Sequence, residues 1–572
     1  MPFKSIKTLI LTSTPTPRNP QKKRKGKKKK LGKSMCPSSP IVPLLLYPPA
    51  MLLMLALTIL AIVLSSLFFF KKSTADIATA ITNTSTIINT SGVQPLPPSP
   101  PKLPIIGNLH QLGSSPHRSL CSLSERYGSL MLLHFGHLPV LVTSSPSIIR
   151  EITQTQDHLF SNRPSLKAPN TILYGGRDIA FAPYGEYWRE MKKATILHLL
   201  SNKKVGSYKQ GREEELAFMM KEIERTMLVD MTERFHALSR DVISRAVIGD
   251  STRNKLWGGG LRRFIDESSR MIGEFYVGDY IPWLGKIIGV VSGFERRLRN
   301  AFERSDKFLE GIVKEHRRRI AKRKEEEGDG DNATDECFLD ALLTLEGELK
   351  CTGLVFDRES IKAIVKDMFG AGTDSTSISM EWTMAELIRH PAAMKKLKEE
   401  IIKVVGPNEA SIKEEQLADM SYLKAVVKEA LRLHPPASII IPRQLIQDTN
   451  IKGYRIPKGT MVLINAWATG RDPKIWDSPE EFRPERFING EAGDINFSSH
   501  GFQLLTFGAG RRSCPGIKFS VTLIELAIAN LVYVFDWKPA KGEREDIDMS
   551  EVYALTTRKR EALMLIATKA VK

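Results

Sequence analysis

Apolar residues recur at three- and four-residue spacing through 296–323, 359–389, 391–404, 421–433 and 517–535, and this period predicts helices there. Short branched apolar runs are scarcer. Val140–Thr143 and Met461–Ile464 predict strands. The body is therefore expected to be mainly α with a small β region. A charged stretch, Lys322–Glu336, predicts a solvated loop between two helices. The helical pattern at 359–390 stops at Pro391, which cannot continue it. If unbroken it is about 48 Å long.

The first hundred residues follow other rules. Lys22–Lys30 is almost wholly basic, and such a run buries no core, so 1–40 is expected to be a disordered extension. Ile41–Phe70 carries no charge, and Met51–Phe70 also lacks proline. Twenty such residues span about 30 Å as a helix, one bilayer core, so 41–72 is expected to be a transmembrane anchor. A Ser/Thr-rich tether and a proline-rich hinge fill 73–104, and the rest, 105–572, is one large domain. A basic flank ahead of the anchor would send the body across the membrane. A shorter start, at Met35 or Met51, keeps the body on the cytosolic side; plastid targeting is the rival explanation for the extension.

Charge alters the picture less than the total of +19 suggests. Residues 1–40 hold twelve of the 83 Lys and Arg and no acid, so the remaining chain has 71 basic against 64 acidic residues. No nucleic-acid partner is expected. Five scattered cysteines (36, 121, 337, 351, 514) make no disulfide framework and no zinc pattern. Metal chemistry must then run through few protein ligands.

Residues 507–516, Phe-Gly-Ala-Gly-Arg-Arg-Ser-Cys-Pro-Gly, supply one. They deliver Cys514 to the start of a predicted helix, where free N–H groups favour a thiolate and two arginines await anions. A thiolate axial ligand pushes electron density onto haem iron and favours O–O cleavage. The spacing Phe507, Gly510, Arg512, Cys514, Gly516 resembles the signature of the cytochrome P450 superfamily. In the middle of the 359–390 helix, Ala371-Gly-Thr-Asp374-Ser375-Thr376 sets an acid beside hydroxyls, which invites a local break. It resembles the family's oxygen-activating acid–alcohol pair, with Ser375 where threonine is commoner and Thr376 able to share the role. Glu429-Ala-Leu-Arg432 and Pro484-Glu-Arg486-Phe complete the likeness, which spans about Pro95–Ala570 and is close to the plant A-type, 71-like group.

The resemblance implies the cytochrome P450 fold in a single large catalytic domain behind an N-terminal anchor. It implies haem b held by Cys514, a structural triad of Glu429, Arg432 and Arg486, and haem contacts from Trp188, Lys192, Arg443, Phe507, Arg512 and Gly516. Lys192 replaces a more usual arginine. Substrate-facing stretches would fall at 164–180, 263–290, 363–374, 437–442 and 552–557, with Ala371, Ser438, Ile439, Ile440 and Leu555 in the pocket. It further implies O₂, a hydrophobic terpenoid, alkaloid or phenolic substrate, and electrons from NADPH through the flavins of NADPH-cytochrome P450 reductase. The lipid bilayer of the endoplasmic reticulum completes the partners, with a single span and a cytosolic catalytic body. A haem-thiolate dehydratase or isomerase acting on, for example, an oxime, and a non-catalytic haem-binding membrane protein, remain the other readings.

Overall fold

The computed structural model describes residues 94–249, 258–327, 337–349, 356–488, 495–497 and 502–570. The expected extension, anchor and Ser/Thr-rich tether lie outside the described residues, as does the charged stretch after residue 327. Helices run over Glu186–Thr195 (α1), Met231–Ile248 (α2), Gly258–Gly273 (α3), Pro282–Val291 (α4), Phe294–Glu327 (α5), Phe338–Leu349 (α6), Arg358–Arg389 (α7), Pro391–Val405 (α8), Ser421–Leu433 (α9) and Ile517–Val534 (α10). The expected loop from Lys322 starts later than the charges suggest, because α5 keeps its helical course through Glu327.

The core is built around α7, which packs against α2, α9 and α10. Asp357 caps its start by accepting from the N–H groups of Glu359 and Ser360. The break expected near Asp374 does not occur. Ser375 Oγ donates to the Ala371 carbonyl at 2.7 Å, Ser377 Oγ to that of Asp374 at 3.0 Å, and Ser379 Oγ to that of Ser375 at 2.7 Å. The hydroxyls thus bond back to their own helix and leave its ladder intact. From Ser360 to Ile388 every residue of α7 is buried except Asp367, Gly370–Gly372 and Asp374–Ser375. A central helix that is accessible only in its middle borders an interior space there.

Helix α10 is apolar enough to cross a membrane by length and composition. Its residues from Leu523 to Tyr533 are almost wholly buried among α7, α8 and α9, so it is a core helix. The small β region is a four-stranded sheet. Leu130–Phe135 (β1) pairs antiparallel with Leu138–Thr143 (β2), β2 runs parallel to Met461–Ile464, and that strand pairs antiparallel with Arg443–Gln444. Gly136 turns the β1–β2 hairpin at φ +58°, where a Cβ would lie 2.1 Å from the Tyr280 carbonyl. The proline-rich segment lies along this sheet: Leu132 N–H donates to Pro98 O, and Asn108 Nδ2 to Pro100 and Pro101 O.

Candidate active site

The Cys514 loop is a folded knot of backbone hydrogen bonds. Cys514 N–H donates to Phe507 O at 2.8 Å and Ser513 N–H to Gly510 O at 2.9 Å. Gly510 sits at φ +68°, and any Cβ there would meet Thr153 O at 2.1 Å, so the loop needs glycine to close on the neighbouring turn. Asp157 secures the same edge. It accepts from Arg511 N–H at 2.7 Å and from Arg443 Nη1 at 2.8 Å.

Gly516 N–H points at the Cys514 sulfur, 3.4 Å away. Cys514 is accessible, yet protein atoms crowd it enough that burial raises its thiol pKa, against the Gly516 N–H and the Lys192 charge. Both properties follow if the sulfur faces an interior space. The helix start therefore does not make a free thiolate unaided, and a bound metal would complete the deprotonation. Cys337, another of the described cysteines, is different. Burial and then Asp340 push its thiol up to about 12. It lies 3.8 Å from His316 Nδ1, which is bonded to Asp340 at 2.7 Å. These three ligand types cluster within 4.8 Å, but as a buried imidazole–carboxylate pair joining α5 to α6.

Across from the loop, α7 presents its accessible patch. Thr376 Oγ1 and Ser520 Oγ in the first turn of α10 are 2.9 Å apart, tying the helix behind Cys514 to α7. Thr376 is buried by that contact, whereas Ser375 and Ala371 are accessible. Asp374 Oδ1 lies 3.3 Å from Nε2 of His236 on α2. Sequence reasoning missed this partner, which is 138 residues away.

The expected haem contacts are differently engaged. Trp188 Nε1 donates to Ile179 O at 3.0 Å. The Arg512 guanidinium stacks on Trp188 and donates to Ser161, Ile179 and Ala182 carbonyls. Lys192 Nζ donates to Arg511 O. Arg443 gives Nη2 to Ala509 O at 2.6 Å, while its Nε is buried without a partner. Phe507 packs edge-on against Phe497. Arg443 and Lys192 thus retain donor capacity for an anionic edge, and Cys514 offers a soft ligand to the same interior. This set fits a thiolate-ligated haem.

Behind the loop lies the ion cluster. Arg432 meets Glu429 through two bonds of 2.7 and 2.8 Å, both side chains fully buried, and Arg486 Nε reaches Glu429 Oε1 at 2.9 Å. The remaining Arg432 donors end on the Gly470, Pro479 and Glu481 carbonyls. Thr506 Oγ1 donates to Leu431 O, which joins α9 to the chain entering the cysteine loop.

The expected pocket residues are spread around the space. Ile439 packs beside the β1–β2 sheet, Ile440 beside Ala509, and Leu555 against the cluster holding Ile172, Phe181 and Met271. Ser438 is buried and turns its hydroxyl to Pro435 O at 3.3 Å.

A helical body around one long helix, with an accessible cysteine at the head of another, suits a haem-thiolate protein. The family model for cytochrome P450 matches residues 97–565, and the chain belongs to that family. Cytochrome P450 736A117 of Prunus mume is 43% identical over 90% of this chain and 95% of its own. Cytochrome P450 71A4 of Solanum melongena is 43% identical over 83% of this chain and 92% of its own. The (+)-menthofuran synthase of Mentha piperita is 44% identical over 82% and 93%. A zebra fish cytochrome P450 structure with progesterone superposes with a TM-score of 0.66 at 25% identity, covering 80% of this chain and 99% of that one. The chain is a plant cytochrome P450 monooxygenase of the 71-like group. It carries haem b and acts with O₂ on a small molecule.

Proposed function

We propose that this chain is a membrane-anchored monooxygenase of plant specialised metabolism, inserting one atom of O₂ into an apolar terpenoid, alkaloid or phenolic. Electrons come from NADPH through a diflavin reductase. The observation that carries the reading is the accessible Cys514 sulfur at the head of α10, whose first turn is tied to the mid-helix patch of α7 through Ser520 and Thr376. A relative named (+)-menthofuran synthase supports a small apolar substrate.

Bound haem supplies O₂ activation, and the chain supplies everything around it. Cys514 Sγ would hold its iron. The glycine loop and the Glu429–Arg432–Arg486 triad hold that sulfur in place, and Lys192, Arg443 and Arg512 balance the anionic haem edge. The Asp374 carboxyl, positioned by His236, is the acid–base group at the accessible patch, and Ser375 Oγ passes protons inward by rotating off the Ala371 carbonyl. Ile439, Ile440 and Leu555 exclude water beside the substrate. At the surface, Trp283, Ile287, Val290 and Val291 of α4 stand 59–82% exposed. Trp283 also lines a 370 Å³ groove shared with the proline-rich segment at Lys102–Ile105. This apolar face, near the chain leading to the expected anchor, supports contact with the bilayer of the endoplasmic reticulum.

The test is the reduced-CO spectrum of the full chain. Wild type shows the band typical of thiolate ligation and Cys514→Ala loses it; a normal band in the variant overturns the assignment. Turnover that requires both NADPH and O₂ separates the monooxygenase from a haem-thiolate dehydratase.

A further inference from the structure

The accessible patch of α7 contains one charged residue with no part in the reading above. Asp367 lies one turn before Ala371. At 100° per residue, Asp367 and Ser375 flank Ala371 by about 40° on either side, so all three share a face. Its two oxygens have different surroundings. Oδ2 accepts from Ile179 N–H at 3.1 Å and Ala180 N–H at 3.0 Å, clamping the segment before α1 onto α7. Oδ1 has no hydrogen-bond partner among the described residues, and it is not one of the buried unpaired atoms. When ionised, the carboxyl makes the Cys514 thiol harder to deprotonate, which places it within electrostatic reach of that sulfur.

We propose that Asp367 is the polar anchor of the substrate site, holding an oxygen atom of an otherwise apolar substrate through Oδ1. The substrate class is then a ketone, ether or alcohol on a hydrocarbon skeleton, not a bare hydrocarbon. The proposal rests on the monooxygenase reading of the same site.

Three features support it. Burial and the neighbouring Asp178 raise the carboxyl above the ordinary range, against the Ile179 and Ala180 N–H donors and then the Arg163 charge. Arg163 itself is turned to the Ala180, Ile441 and Pro442 carbonyls. With Oδ2 occupied by two N–H donors, the proton belongs on Oδ1, where it points away from protein partners as a donor. The pocket residues Ala371, Ile439, Ile440 and Leu555 are apolar, and the hydroxyls of Ser375 and Ser438 are given to the Ala371 and Pro435 carbonyls, so Oδ1 of Asp367 is the unengaged donor that sets the orientation. A lone donor in an apolar site favours a ligand that pairs it over one that leaves it unpaired.

Matched probes test this on the full chain in membranes with a reductase, read by substrate-induced difference spectra. The pairs are limonene and carvone, p-menthane and menthone, and indane and indanone, with N,N-dimethylcyclohexylamine as a cationic probe. Wild type should bind each ketone about tenfold more tightly than its hydrocarbon. Asp367→Ala should lose that preference. Asp367→Asn should keep most of it, because the amide still donates. Equal affinities in wild type, no binding of any ketone, or a preference unchanged in Asp367→Ala overturns the proposal. So does a preference for the amine that Asp367→Asn abolishes, which would mark an ionised carboxylate. Should Asp367→Ala lose haem, infrared spectra decide. A protonated-carboxyl C=O band should shift when carvone is added to wild type and be missing from Asp367→Asn; no band or no shift overturns the anchor. A wild-type reduced-CO band typical of thiolate ligation, without ketone preference, sinks the Asp367 proposal alone; absence of that band sinks the monooxygenase reading.

Discussion

Asp374 faces two ways: its carboxyl meets His236 at 3.3 Å, and its carbonyl takes the Ser377 hydroxyl. A side chain held from α2 is placed beside the accessible patch without being locked by its own helix. Asp374→Asn is expected to slow product formation roughly 100-fold with haem content unchanged, the loss of a positioned proton donor. Haem content per protein and product per minute check this together; loss of haem would mean that Asp374 is structural. Ser375→Ala should release more peroxide per NADPH consumed. At this scale Cys514, Asp374 and Ser375 could be proposed from the sequence because each lies in a run of adjacent residues of matching chemistry. His236 and Asp367 were not. His236 acts across 138 residues, and Asp367 is indistinguishable from any acid in an amphipathic helix until its neighbours are known.

Among the elements, α7 taught most. Its ends were readable from Asp357 and Pro391. Its continuity was not, because hydroxyl side chains either break a helix or bond back to it, and their rotamers decide. One turn from the active face, Lys366 is buried. Its Nζ donates to Ile172 O at 2.9 Å and Ser305 Oγ at 2.7 Å, near the Tyr174, Phe264 and Phe302 rings. Burial pulls its pKa to about 7 from 10.5, against the attraction of Asp306. Between those values the unfolded chain binds a proton that the folded chain does not, so stability rises with pH over that range. Lys366→Met should raise the melting temperature at neutral pH and flatten the rise toward pH 10.5, as measured by thermal unfolding across that window. On α9, Glu429→Gln leaves Arg432 and Arg486 buried without their carboxylate. A loss of about 3–5 kcal/mol and a haem-poor product are expected. A fully haem-loaded, equally stable variant would remove the triad from the account.

For the whole molecule, the charge total misled and the apolar surface informed. The net charge of +19 comes largely from residues 1–40, whereas the exposed apolar residues of α4 gather on one face. In bilayers with brominated acyl chains, the full chain should show tryptophan quenching that Trp283→Phe largely removes. Quenching that persists in the variant would place the contact elsewhere. The apolar helix Ile517–Val534 carries the opposite lesson, since hydropathy alone makes it a membrane candidate and packing makes it core.

The sequence by itself determined five of the long helical runs, the family and the cysteine proposed to hold iron, because period, capping residues and a ten-residue loop are local properties. The tertiary structure alone decided which polar groups face the interior. It paired Asp374 with His236, turned Arg512 and Trp188 toward carbonyls, and left one oxygen of Asp367 free. Those choices depend on distances between segments far apart in the chain, and no local pattern encodes a distance.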